Sequence, residues 1–403
     1  KNSNYVKQVP YDKRWEFIAN RLVQEGAPVT WTDHTSFEQV FTPEFVEALI
    51  MPFYEHVLEH VPWGPKFLSD YRRVVLPRNG HTLKSKYCVV SGIHAEMSGE
   101  MDTSLKNCLG NRFGDLFANA VSCEIRQVLD VMFITLFDDD TFAEWLARSE
   151  PADDAGVEGV LTTMHTGVYE GDDGITQSAQ PTDAKAFARL GFDVKMARGD
   201  TLEHGDFCCI DGTIDGKYMT TNPLKVLGHL GWMGRLYIPR KKTRVLEVLR
   251  ARALSMVYLY PNSPIIAAYC HWIMRATAHL DMRGFAERHR ALGAWQLGWL
   301  EQAIGSSKAL RPRVPVPDEL REVVESRYGI RTDHQIEIEN YFDAQTNLTY
   351  IDCPLLSLYW PESWVDYATR YDAGPDLRQP LQPFVPIKYD NLPKSLRTRL
   401  LAM

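Results

Sequence analysis

Three aspartates in this chain could share a divalent cation if the fold brought them together: Asp33, and the neighbouring pair Asp172 and Asp173 much later in the sequence. Hard cations such as Mg2+ or Mn2+ take a few carboxylate oxygens and leave other positions to water and substrate phosphates. Two such ions side by side activate an attacking 3′-hydroxyl and steady a departing pyrophosphate, which is nucleotidyl transfer. A second candidate pair is Thr103 and Asn107, four residues apart and therefore on one face of a helix. A hydroxyl and a carboxamide there suit a ribose 2′-hydroxyl, the group that separates RNA from DNA. The same pair equally suits a helix cap and an ordinary polar face.

Neither signal is specific by itself. Chance places Gly-Asp-Asp in roughly one chain in twenty of this length, and a solvated acidic turn is its ordinary meaning. Asp138-Asp139-Asp140 serves as an internal control, because no hairpin pattern surrounds it and it reads as acids at a helix start.

The elements that must position these residues have sequence signatures. Pro28 to Asp33 combines β-branched and aromatic residues and predicts a strand ending near Asp33. Thr42-Pro43-Glu44 then supplies a cap, a first-turn proline and a first-turn acid for a helix whose apolar residues run from Phe45 to Leu58, with Pro52 expected to kink it. A helix is expected from Thr103 to Val131, burying Leu105, Leu109, Phe113, Leu116, Phe117 and Val121. Leu161 to Gln177 has the pattern of a hairpin around Gly171-Asp172-Asp173-Gly174, both glycines supplying positive backbone dihedrals. Residues 151–158 read as a loop, and a helix is expected to follow at Thr182–Leu190. Beyond about residue 216 the texture predicts helices near 240–260, 264–280 and 283–304; 311–317 is expected to be a stiff proline-rich linker and the last 30 residues an extended tail.

The bulk numbers describe a folded chain. At 403 residues, 45% hydrophobic and 24% charged, it has the material for more than one subdomain and excludes intrinsic disorder. A net charge of -8 argues against nonspecific coating of nucleic acid but permits a basic channel. The seven cysteines include no Cys-x-x-Cys pair, so reduced thiols fit better than zinc or disulfides. The most apolar window, Met256 to Met274, is interrupted by Pro261-Asn262-Ser263-Pro264 and His271, which predicts buried helices around a turn and no membrane span.

Taken in order, the motifs are more specific than any one of them. Thr32-Asp33-His34-Thr35-Ser36-Phe37-Glu38, then Ser98-Gly99-Glu100-Met101-Asp102-Thr103-Ser104-Leu105-Lys106-Asn107, then Gly171-Asp172-Asp173 resemble the A, B and C motifs of positive-strand RNA virus polymerases. Within the B motif, Met97 to Leu105 resembles the tombusvirus-like polymerases in particular. Glu38 stands where many relatives have Asp. Leu190 to Lys195 resembles the D motif, and Asp206-Phe207-Cys208-Cys209 the E motif, a turn that grips the primer strand.

The resemblance implies an α+β right hand: palm with partial fingers over 1–215, helical thumb over 216–310, linker and extended tail over 311–403. It implies Asp33, Asp172 and Asp173 as ligands of two Mg2+ or Mn2+ ions, and Lys195 as the acid that protonates pyrophosphate. Glu38, Ser98, Gly99, Thr103 and Asn107 would bind the substrate ribonucleoside triphosphate. Partners would be an RNA template, a primer or nascent strand, and other replicase components. The place of action would be the host cytoplasm, at membrane-associated replication sites through a region absent here. Only 32 residues precede Asp33, so the fingers are expected to be truncated. Arg240-Lys241-Lys242-Thr243-Arg244 reads as a solvated helix start rather than a template contact. A reverse transcriptase typically carries an aromatic in the form Tyr-x-Asp-Asp and lacks the Ser-Gly-x3-Thr-x3-Asn helix, whereas this chain has Tyr169-Glu170-Gly171 before Asp172-Asp173 and does carry that helix pattern. A noncatalytic RNA-binding scaffold with a degenerate palm is the alternative from another class. A small-molecule phosphohydrolase would leave Thr103 and Asn107 without a purpose.

Overall fold

The computed structural model describes residues 5–7, 9–22, 27–76, 80–84, 88–93, 102–122, 165–178, 182–231, 242–292, 294–306 and 312–364. The architecture is α+β with antiparallel sheets. Two units divide the chain, one comprising residues 1–75 and 95–359, the other 76–94 and 360–403. In the smaller unit, His81–Lys84 (β2) and Val89–Ile93 (β3) form an antiparallel ribbon.

The larger unit is organised by a four-stranded sheet containing Val29–His34 (β1), His165–Glu170 (β4), Asp173–Ser178 (β5) and Val194–Gly199 (β6), in the order β4-β5-β1-β6. Its three strand pairs are all antiparallel. Every residue of β1 except Asp33 is buried, which suits its β-branched and aromatic content to a strand covered on both faces. Val29 and Trp31 enter an apolar core with Val168, Ile175, Leu202, Phe207 and Ile210. The helix Arg14–Arg21 (α1) adds Trp15 and Ile18 to that core, and the Trp15 indole donates to the Thr213 carbonyl at 2.8 Å.

Residues 43–58 (α2) are helical, with the Thr42 hydroxyl accepting from the Phe45 N–H at 3.3 Å. Within this helix a π turn over Val46–Ile50 separates two α segments. Pro52 has no N–H to give and its ring crowds the preceding turn, so the helix widens there. Next come Gly64–Val75 (α3) and Thr103–Ser122 (α4). The expected continuation of α4 to Val131 lies outside the described residues, as do Asp138-Asp139-Asp140, the 151–158 loop and the last 30 residues. The helix expected at Thr182–Leu190 is the shorter Ala184–Ala188 (α5), capped by Asp183.

Downstream are Pro223–Leu230 (α6), Lys242–Leu259 (α7), Ile266–Ala276 (α8) and Ala294–Ile304 (α9). The Met256–Met274 window does form two helix segments about a turn. The segment expected across 283–304 is broken, because a short helix Phe285–Arg288 and a 3-10 turn Arg290–Leu292 precede α9. Residues expected to be linker and tail contain two further helices, Asp318–Tyr328 (α10) and Thr332–Ala344 (α11). Buried Arg321 and Glu339 join them with hydrogen bonds of 2.9 and 3.0 Å, and Phe342 stacks on Trp272 of α8.

Candidate active site

Strand register sets three charged residues in one row. Asp33 of β1 lies opposite Asp173 of β5 on one side and Lys195 of β6 on the other. Directly opposed residues of an antiparallel pair share a face. The row therefore continues the face of Trp31 and Ile175 beyond the end of the apolar core. Asp33 is exposed, and the Lys195 ammonium donates to its Oδ2 at 3.2 Å. Asp172 is exposed in the two-residue turn between β4 and β5. Asp173 is half-buried, and burial together with the charges of Asp172, Asp33 and Asp206 pushes its carboxyl up to about 6. The Cys208 thiol donates to Asp173 and opposes that shift.

The two glycines of the turn serve different ends. Gly171 has φ +65, and Asp172 is not in the left-handed region, which is the pattern of a type II′ turn. The positive dihedral expected at Gly174 is absent; that residue lies inside β5 and is needed for space. A Cβ there would fall 2.5 Å from Thr32 Oγ1 and 3.2 Å from Asn111 Oδ1.

Helix α4 grips the turn from behind. The Gly171 N–H donates to Cys108 Sγ at 3.2 Å, and Asn111 Nδ2 donates to the Gly171 carbonyl at 3.3 Å. Asn111 Oδ1 lies 3.1 Å from His34 Nε2, and burial lowers the His34 pKa, favouring the neutral ring. One turn further, Asp115 accepts from the Tyr169 hydroxyl at 2.5 Å; Asn119 donates to Ser178 Oγ at 2.9 Å. Asn111, Asp115 and Asn119 are all buried; of the expected buried stripe Phe117 is buried, Leu105, Leu109, Phe113 and Leu116 are only half-buried, and the Val121 side chain lies outside the described residues. At Gly114 the Phe192 ring occupies the space of a side chain, 2.2 Å from where a Cβ would stand. Thr103 and Asn107 are thus the first two steps of a four-residue polar repeat continuing through Asn111, Asp115 and Asn119. That period was present in the sequence, but three buried polar residues contradict the usual core pattern.

A second turn approaches Asp173. Phe207 and Ile210 exchange two backbone hydrogen bonds of 2.9 Å around Cys208 and Cys209, whose φ values are +52 and +60. Helix α10 clamps this turn. Arg327 donates to Asp206 Oδ1 and Asp211 Oδ1 at 2.9 Å each and to the His204 carbonyl at 2.7 Å, while the Tyr328 hydroxyl donates to Asp211 Oδ2. On the other side, Arg14 lies 2.7 Å from Glu170, next to the Gly171 turn.

The remaining sequence candidates are placed as follows. Thr103 and Asn107 are half-buried on the first turns of α4. Glu38 is exposed on the 3-10 turn Phe37–Val40. Ser98 and Gly99 lie outside the described residues. Asp102, just before α4, accepts from Tyr54 of α2 at 3.1 Å and Tyr71 of α3 at 2.5 Å, so both helices anchor the start of α4. The cysteines among the described residues are all free.

The donor chemistry of the acid row fits a hard divalent cation, since a cation would relieve the burial and mutual repulsion felt by Asp173. The carboxylates are not gathered in advance: among the described residues no three His, Cys, Asp or Glu side chains form a group that could hold a metal ion. Among the described residues no helix is long and apolar enough to cross a membrane. No protein-family model and no curated protein matches this sequence.

Proposed function

We propose that this chain is the catalytic part of an RNA-dependent RNA polymerase of the positive-strand RNA virus type. The four-stranded sheet would be its palm and the helices within residues 216–310 its thumb. The observation that carries the reading is the juxtaposition of Asp33 with Asp173 on facing strands, with Asp172 in the adjoining turn. Bound by Asp33, Asp172 and Asp173, two Mg2+ or Mn2+ ions would supply the positive charge that nucleotidyl transfer requires. Lys195, exposed beside Asp33, is the proton donor to the leaving pyrophosphate. Thr103 and Asn107 recognise the 2′-hydroxyl of the incoming ribonucleoside triphosphate, with Glu38, Ser98 and Gly99 in the same substrate-binding set. The gripping of Gly171 by Cys108 and Asn111 holds Asp172 in place without a hydrogen bond to its carboxylate being needed. Template and primer or nascent strand are RNA, and the setting is the host cytoplasm among other replicase components.

A noncatalytic RNA-binding scaffold is favoured by one observation, the engagement of Asp33 by Lys195 where a cation would be expected. Incorporation of labelled ribonucleotides on a short RNA template, first with Mg2+ and then with Mn2+, separates the two. Metal-dependent extension that is abolished by Asp172→Ala is expected. An Asp172→Ala variant as active as the parent would overturn the polymerase reading, and RNA binding without extension under either metal would favour the scaffold.

A further inference from the structure

A cavity of about 650 Å3 opens between the Cys208–Cys209 turn, α6, α7, α9 and Tyr11. Lys225 and His229, one turn apart on α6, line it together with Arg252 of α7, and none of its described lining residues is acidic. In a chain of net charge -8 such a one-signed wall is not average surface. The Arg252 guanidinium is fixed there by donating to the Leu230 carbonyl at 3.2 Å. Lys225 Nζ lies 3.6 Å from Cys209 Sγ, a weak acceptor that an anion would readily replace. Another part of the lining is apolar and aromatic, with half-buried Met256 and Tyr11, the Tyr11 hydroxyl meeting that of buried Tyr260 at 2.8 Å.

Cations beside a flat apolar surface call for a ligand with a multiply charged anionic end and an aromatic body. The volume lies in the range of small-molecule sites. We propose that this cavity binds a nucleoside phosphate, its phosphates held by Lys225, His229 and Arg252 and its base against Tyr11 and Met256. None of Asp33, Asp172 and Asp173 lines the cavity, so the proposal does not rest on the polymerase reading. Cys209 belongs to the cavity wall while Cys208 donates to Asp173, so an occupant touches the same turn that touches the acid row. The nucleoside phosphate could arrive free or as the 5′ end of an RNA; the chemistry is shared.

Cys209 supplies the probe. The full chain is treated with iodoacetamide in the presence of a metal chelator, and alkylation of Cys209 is followed by peptide mass spectrometry, with exposed Cys88 as the reference. ATP, GTP, inorganic triphosphate and a 5′-triphosphorylated dinucleotide are titrated in turn. A nucleotide is expected to slow alkylation at Cys209 and not at Cys88. Lys225→Glu and His229→Ala, both at exposed positions, are each expected to raise the half-protecting concentration by about tenfold or more, the first by reversing a charge and the second by removing a phosphate contact. Asp172→Ala is expected to leave protection unchanged. Protection by the free nucleotides or by the RNA end supports the site and identifies the source. The proposal is overturned by no protection at millimolar ligand, by protection indifferent to Lys225→Glu, or by protection lost in Asp172→Ala. Equal protection by inorganic triphosphate overturns its nucleoside part.

Discussion

Two tight turns meet at the acid row, and they are built in opposite ways. The Gly171-Asp172 turn puts a glycine where φ is positive, with nothing within 4 Å of where a Cβ would stand. The Cys208-Cys209 turn puts two side-chain-bearing residues in the left-handed region, at about 1 kcal/mol or more each. The first turn is specified by its own residues and then gripped by α4. The second is imposed from outside, by Arg327 and Tyr328 of α10 acting through Asp206 and Asp211. Strain of this kind persists where surrounding contacts over-determine the backbone. What it secures here is a thiol at position 208 directed at Asp173, which a glycine could not provide.

The sharpest way to break this comparison is to remove the clamp. Arg327→Ala leaves the buried Asp211 carboxylate with Tyr328 alone, and is expected to cost about 3 kcal/mol in chemical denaturation. Wild-type stability in that variant would show that the second turn holds itself.

Next in size is the acid that both turns approach. The Asp173 carboxyl sits at about 6 against an ordinary 3.8, so the folded chain binds its proton more tightly than the unfolded chain. Its contribution to stability is full below about pH 4 and is lost as pH rises through about 6. At pH 7.5 the charged group therefore burdens the fold, and Asp173→Asn is expected to stabilise by up to about 2 kcal/mol. That gain should vanish near pH 3.5 in melting experiments, while under the proposed polymerase function ribonucleotide incorporation is lost at every pH. A gain independent of pH would mean that charge is not the cause.

Smaller effects separate the glycines. Gly174→Ala must displace Thr32 Oγ1 and is expected to cost about 2 kcal/mol, whereas Gly171→Ala meets open space and should cost about 1 kcal/mol through its dihedral alone. The reverse order in thermal unfolding would contradict the division between space and conformation. Smallest is Cys209→Gly, expected to stabilise by about 0.5 kcal/mol as it relieves strain. Cys208→Gly relieves the same strain but loses the contact with Asp173, so its melting temperature should stay close to the parent's.

Much of the candidate site was legible in the sequence, for local reasons. Val29 to Thr32 could hardly avoid a strand, and a glycine before paired acids between two β-rich runs signals a turn. Thr42-Pro43-Glu44 announced its helix. Helix α4 was legible in type but not in orientation. Its leucines and phenylalanines suggested one buried face, while the residues placed against the sheet are Asn111, Asp115 and Asn119. Hydrophobicity alone cannot foresee a face whose polar groups are satisfied by Gly171, Tyr169 and Ser178 from another element. Helices α10 and α11 were hidden by the prolines before them, although Asp318-Glu319 after Pro317 is an ordinary helix start.

By itself the sequence determined which residues could be strand, turn and helix, because propensity, caps and glycine dihedrals act over a few neighbours. Only the tertiary structure decided that Asp33 faces Asp173 and Lys195 across three strands, that a polar helix face closes under Gly171, and that α10 reaches the cysteine turn. Those are pairings between distant segments, and their energy exists only once the fold has brought both partners together.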